Sequence, residues 1–204
     1  MSVLIATHNE GKKEEFRALL RPIQASLVFP PELGLRIDVP EDQPTYRENA
    51  IQKASAHCQA SGLITLADDS GLEVDALDGA PGIRSARYAP GEDADRATAL
   101  LAALDGVPLG RRSARFRCAV AVVTPWGATH LCEGVCEGYI ALEPAGTGGF
   151  GYDPIFYLPE HGSTMAELAP EVKNRVSHRA RAVDASLPWL RELLTGPDSV
   201  SGCP

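Results

Sequence analysis

No stretch of this 204-residue chain approaches the apolar length of a membrane-spanning helix, about 20 residues. Nor does it open like a secretory leader: Met1-Ser2-Val3-Leu4-Ile5-Ala6 is a short apolar run with no basic segment before it, and reads as a first strand. A basic surplus is also missing. Lys and Arg total 19 against 27 Asp and Glu, a net charge of −8. Gripping a nucleic-acid polymer through counterion release needs a basic face, so the expected partners include neither DNA, RNA nor a membrane. A small anionic substrate stays open, because a few local cations and one metal outweigh a diffuse negative surface. Cysteine is sparse and odd in number, five residues at Cys58, Cys118, Cys132, Cys136 and Cys203, without the density of a disulfide framework. Cys132 and Cys136 have no second Cys or His pair to complete a zinc site. A reducing, cytoplasmic location is the expectation.

What remains is a hydrophobic content of 44% with 23% charged residues, ordinary for a globular protein. There is no internal repeat and no convincing linker, so residues 1–195 are expected to form one bilobed domain and residues 196–204 a disordered tail. The strand at Val3–Ala6 is followed by Thr7-His8-Asn9-Glu10-Gly11-Lys12 and a helix through Leu20. Residues 30–44 carry four prolines and predict an extended connection. Thr45-x-x-Glu48 is a capping-box signature for a helix to about Ser61, stopped by Gly62. Leu63–Ala67 reads as a buried strand ending at Asp68-Asp69. A helix over Asp93–Leu104, a hairpin of Ala114–Thr124 with Thr129–Leu142, and a strand at Ile155–Leu158 follow. The last helix begins at Ser177 and is expected to kink or break at Pro188. Together these predict an α/β fold with an elongated mixed sheet and flanking helices.

Several segments carry chemistry. Two adjacent carboxylates, Asp68 and Asp69, repel each other and lose solvation unless a cation or a proton compensates, and Mg²⁺ is commonly held by one or two carboxylates plus substrate phosphates. The Thr7–Lys12 turn offers helix N-terminal N–H groups and a lysine to an anion, without the glycine and Lys-Ser/Thr spacing of a Walker A loop. Ser177-His178-Arg179 places cations at a helix start, where they oppose the helix dipole. Glu41 and Asp42, in the proline-rich connection, read on their own as solvated acids. Phe150-Gly151-Tyr152-Asp153 follows Gly146, Gly148 and Gly149; it reads either as a backbone that approaches a ligand closely beside a stacking ring, or as a flexible bend with Phe150 in the core.

Taken together, Thr7-x-Asn9-x-Gly11-Lys12, Glu48-Asn49-Ala50 with Lys53, Ala67-Asp68-Asp69-Ser70-Gly71-Leu72, Ala80-Pro81-Gly82-x-x-Ser85-Ala86-Arg87-Tyr88, Gly148 to Phe156 and Ser177-His178-Arg179 closely resemble, in order, the inosine triphosphate pyrophosphatases, or XTP/dITP diphosphatases. The resemblance spans residue 3 to about residue 194. It implies two lobes around a central nucleotide-binding cleft. It also implies a Mg²⁺-dependent homodimer that hydrolyses ITP, dITP and XTP to the monophosphate and pyrophosphate, clearing deaminated purine nucleotides.

Carried over position by position, Asp69 becomes the catalytic carboxylate and a metal ligand, and Glu41 the second metal ligand. Thr7, His8, Asn9, Glu10, Gly11 and Lys12 cradle the triphosphate. Lys53, Ser70, Phe150, Gly151, Tyr152, Asp153, Lys173, His178 and Arg179 contact substrate. His8 departs from the small or amide residue common at its position. Asp68 is an alternative base to Asp69. A nucleotide-binding regulator without turnover, and a pyrophosphatase for other modified nucleotides, are the competing readings.

Overall fold

The apolar opening of the chain becomes a central strand because it is buried on both faces: Val3, Leu4 and Ile5 are solvent-free. The computed structural model describes residues 1–195; the expected tail, 196–204, lies outside them. Among the described residues the strands are β1 (Ser2–Ile5), β2 (Ser26–Val28), β3 (Ile64–Val74), β4 (Pro81–Gly82), β5 (Ser113–Val123), β6 (Thr129–Ile140), β7 (Phe156–Leu158) and β8 (Ser163–Thr164). The α-helices are α1 (Glu10–Leu19), α2 (Tyr46–Ser61), α3 (Asp93–Ala103), α4 (Pro170–Val176) and α5 (His178–Thr195). The sheet order is β2-β1-β3-β5-β6-β7-β8, with β4 paired to β3. β1 is parallel to both β2 and β3, whereas β7 is antiparallel to β6 and β8, so the sheet is mixed as expected.

Local signals account for most boundaries. Asn9 caps α1, its side chain accepting the Lys12 N–H at 2.9 Å. Thr45 caps α2 by accepting the Glu48 N–H at 3.2 Å, and Gly62 ends it with φ of +67°. The β5–β6 hairpin turns through Gly127, with Thr124 N–H donating to the Ala128 carbonyl at 2.9 Å.

Three expectations are corrected. The strand predicted to end at Asp68-Asp69 runs on to Val74, because compensating groups from α1 and α2 let it carry two buried carboxylates in its interior. The connection at 30–44 is not wholly extended: Pro30–Leu33 forms a 3₁₀ turn, since proline's fixed φ suits a helical start, and Gly34 ends it at φ +65°. α5 continues through Pro188, which rules out the break of the expected kink or break; the buried stripe of Val183, Leu187 and Leu190 holds the helix across the missing N–H.

The chain forms two compact units. The first comprises residues Met1–Asp69, Ala119–Glu133 and the chain from Arg181 onward; the second comprises Ser70–Cys118 and Gly134–Ala180. Phe16, Leu20 and Leu66 join the β1 side chains among the buried apolar residues of the first. In the second, Leu72 and Val74 of β3 pack with Leu100 of α3, with Leu104 just after it, and with Phe116, Ile140, Ile155 and Phe156.

Candidate active site

In the first unit, topology decides where chemistry gathers. β1 lies between β2 and β3, so the chain leaves it in opposite directions, and ligands of such sheets bind outside the carboxyl ends of the strands at that switch point. β1 and β3 are parallel with Ile5 opposite Leu66. The Thr7–Lys12 segment, which follows β1, and the Asp68-Asp69 pair, in the middle of β3, therefore lie alongside one another.

Four elements meet there. Lys12 of α1 is 3.0 Å from the Asp68 carboxylate. Lys53 of α2 pairs with Glu41 and donates to the Asp68 carbonyl at 3.1 Å. Asn49, one turn before Lys53, donates to Asp69 Oδ2 at 2.9 Å, and its Oδ1 accepts the Gln43 N–H at 3.0 Å. One buried amide thus ties the catalytic candidate to the loop that carries Glu41. Asn49, Lys53 and His57 form one stripe of α2 at four-residue spacing, and His57 Nδ1 sits 2.9 Å from the Lys53 carbonyl.

The electrostatics follow from burial. Asp68 is 1% and Asp69 6% exposed. Burial pushes the Asp69 carboxyl above the ordinary aspartate range; the charge on Lys53 and the Asn49 hydrogen bond pull it back in part, while Glu41 pushes the same way as burial. Burial works against the Lys53 ammonium, but Asp68 and Glu41 outweigh it and hold its pKa above normal. Asp69 is therefore a better proton acceptor than a free aspartate. Thr7 is buried and its hydroxyl accepts the Asn9 N–H at 3.2 Å. Gly11 is half-buried in the first turn of α1, His8 is exposed, and Glu10 is exposed and turned to Lys13 at 2.7 Å.

The second unit holds a different cluster. Ser177 caps α5 by accepting the Ala180 N–H at 3.2 Å. The cations that follow do not project into solvent. Arg179 is 2% exposed, donates from Nη2 to Ser70 Oγ at 2.9 Å, and lies with Cζ 5.6 Å from the Phe150 ring centroid. His178 stacks on Phe116 at 4.6 Å. Lys173 Nζ lies 4.8 Å over Phe150 and pairs with buried Asp153, whose Oδ2 also accepts the Phe150 N–H at 2.9 Å. Phe150 is half-buried rather than in the core. Gly151 N–H donates to Asp93 at 2.6 Å. Tyr152 is buried with its hydroxyl donating to the Ser85 carbonyl at 2.8 Å, and burial raises its pKa to about 12.

The glycines before Phe150 have an internal reason. A Cβ on Gly146 would stand 2.6 Å from the Ala166 carbonyl carbon, and one on Gly149 2.1 Å from Asp153 Oδ2. They admit the loop's own neighbours. The ring they present, flanked by two cations, suits a flat heterocycle bearing carbonyl acceptors.

The structure thus gathers Lys12, Glu41, Lys53, Asp68 and Asp69 in one cluster, and Ser70, Phe150, Asp153, Lys173 and Arg179 in another. Asn49 was not singled out from sequence as a site residue; its position one turn before Lys53 on a capped helix was the available signal.

The model of the Ham1 family matches residues 3–189. The chain belongs to the Ham1 family. Relatives named dITP/XTP pyrophosphatase include one from Desulforamulus reducens, 48% identical over 95% of this chain and 97% of its own. Another from Geobacillus kaustophilus is 52% identical over 89% and 90%. Among solved structures, a HAM1 protein from Coxiella burnetii superposes with a TM-score of 0.84 at 42% identity, covering 94% of this chain and 99% of that one. A nucleoside-triphosphatase/dITP/XTP pyrophosphatase from Mycobacterium abscessus does so with 0.73 at 44%, covering 92% and 100%.

Proposed function

We propose that this Ham1-family chain hydrolyses deaminated purine nucleoside triphosphates, dITP, XTP and ITP, to the monophosphate and pyrophosphate, acting in the cytoplasm as a homodimer. The observation that carries the reading is the set of buried Asp68 and Asp69 and half-buried Glu41 interleaved with Lys12 and Lys53, beyond the end of β1 and against the middle of β3, in a chain about half identical to proteins named for this activity.

The donor set suits Mg²⁺. Asp69 and Glu41 offer hard oxygens and interact electrostatically, and the carboxylates outnumber the lysines among them. Among the described residues no three His, Cys, Asp or Glu side chains form a ready metal cage, and an ion completed by substrate phosphates requires none. Bound there, Mg²⁺ would neutralise phosphate oxygens and ease ionisation of the attacking water.

The chain's own groups do the rest. Asp69, with its raised pKa, accepts the proton of the water that attacks the α-phosphorus. Asn49 fixes the orientation of that carboxylate. Lys12 and Lys53, already poised among acids, take up the negative charge of the triphosphate, and the Thr7–Lys12 turn and the start of α1 orient it for in-line departure of pyrophosphate. Phe150 stacks on the base; Arg179 and Lys173 donate toward its carbonyls. Adenine, which presents an amino donor at the six-position, leaves such donors unpaired.

Pyrophosphate release from XTP, dITP, ITP, dATP and dGTP, with and without Mg²⁺, tests this. Turnover of the first three, dependent on Mg²⁺, is expected. Binding of XTP with no release would replace the enzyme with a nucleotide-binding regulator.

A further inference from the structure

Contacts in the second unit close into a ring. Arg179 lies over Phe150 and donates to Ser70 Oγ at 2.9 Å. Two residues further along β3, the Leu72 N–H donates to Ser85 Oγ at 2.8 Å. The Ser85 hydroxyl in turn donates to the Gly82 carbonyl at 2.6 Å, which fixes its orientation. The Ser85 carbonyl accepts the Tyr152 hydroxyl at 2.8 Å, and Tyr152 is two residues after Phe150. The circuit runs Phe150, Arg179, Ser70, Leu72, Ser85, Tyr152 and back to Phe150.

We infer that the Tyr152 hydroxyl is a positioning group for base selection, setting the Phe150 ring in register with the Arg179 donors without touching the nucleotide. The inference rests on the reading of Phe150 and Arg179 as the base platform. Two other anchors of the loop lead elsewhere. Gly151 N–H is tied to Asp93 at the start of α3, and Phe150 N–H to Asp153 within the loop itself. The Tyr152 arm of the circuit leads back to β3, where Ser70 holds the guanidinium. Each remaining arm is stiff: Gly71 and Leu72 are buried in a strand, and Ser85 is buried in a 3₁₀ turn. With its pKa raised to about 12 the phenol stays protonated, and so remains a donor, through any ordinary assay.

Geometry of this kind acts on discrimination before it acts on rate. A purine carbonyl gains from Arg179 only if its plane, set by Phe150, delivers the oxygen to the donor, and a hydrogen bond weakens steeply below about 120°. A small tilt of the ring costs the deaminated purine its selective contact and costs adenine little. The chemistry at Asp69 depends on other side chains.

The variant Y152F keeps the ring of the side chain and removes one donor. We expect kcat for XTP within about twofold of wild type, KM raised about fivefold to tenfold, and the XTP-over-dATP ratio of kcat/KM lowered by a similar factor, the scale of one lost buried hydrogen bond. S85A, which removes the next link, should give the same signature, and the double variant little more than the worse single one. Thermal melts and circular dichroism of both accompany the kinetics. A lowered melting temperature with unchanged KM and discrimination overturns the inference, since that is what packing alone would give. So does a fall in kcat at constant KM, or full additivity of the two variants. Calorimetric titration with xanthosine monophosphate reads the platform without turnover. Absence of pyrophosphate release by the wild type defeats the hydrolase reading alone; equal affinity of wild type and Y152F for the monophosphate defeats the ring.

Discussion

The two clusters bury charge in opposite ways. In the first unit, the carboxylates of Asp68, Asp69 and Glu41 exceed the ammonium groups of Lys12 and Lys53, and Asp69 is held in a state that burial resists. In the second, Lys173 and Asp153 neutralise each other, and Arg179 rests on a hydroxyl and a ring face. One cluster is short of positive charge and ready to accept it; the other is balanced and ready to hold a shape. Removing a charge should therefore move stability in opposite directions in the two places.

The largest effect is expected from Asp69→Asn. Loss of the proton acceptor should lower kcat by roughly 10³-fold or more, while the melting temperature rises. The sign follows from the raised folded pKa. Between the ordinary value of 3.8 and that raised value the folded state binds more protons than the unfolded, so wild-type stability falls as pH climbs through the folded pKa. The amide escapes this, and its advantage should be full at neutral pH and vanish in acid. A variant that melts at or below the wild-type temperature at pH 7 would erase the contrast.

Lys173→Met is the mirror image. It leaves Asp153, 3% exposed, without its ammonium partner, and should cost about 3 kcal/mol in a urea titration, the usual result of breaking a buried pair from one side. Unchanged stability would show that the second cluster is not balanced as described. Next in size, Phe150→Ala should raise KM by about tenfold for dATP, since stacking contributes ~1–3 kcal/mol per base, and by more for XTP, which also loses the plane that brings its carbonyl to Arg179; steady-state kinetics on both nucleotides measure it.

The smallest effect belongs to His57→Gln. Burial holds the folded imidazole below 6.5, so beneath that pH the unfolded chain takes up a proton that the folded chain refuses, and stability declines as pH falls. The glutamine variant should flatten that slope, on top of a pH-independent cost of about 1 kcal/mol for changing a buried side chain. An unaltered slope would assign the decline to other groups.

Sequence and structure agree best where the determinants are local. Thr45, Glu48 and Gly62 announced α2 to within a residue at each end, and Ser177 announced α5. They part where the determinant is distant. Asp68-Asp69 reads as the end of a strand because two charges in a buried strand are costly; what makes them tolerable is Lys12, Asn49 and Lys53, which reach β3 from two helices. Asn49 stayed hidden for the same reason, its partner lying 20 residues away. Gly146 and Gly148 invited a ligand-based explanation because Ala166, which crowds them, belongs to a separate turn. Short-range chemistry is written in neighbours; compensation is written in the topology, which only the sheet order reveals.

The caps of α2 have a consequence for how this segment tolerates change. Thr45 and Gly62 fix where the helix starts and stops, and Asn49, Lys53 and His57 line up only because each is four positions from the next. One extra residue between Asn49 and Lys53 would leave every side chain chemically intact yet swing the lysine around the axis by about 100°. The outward face of α2 is open to substitution, whereas its length between those two residues is as constrained as any side chain at the site.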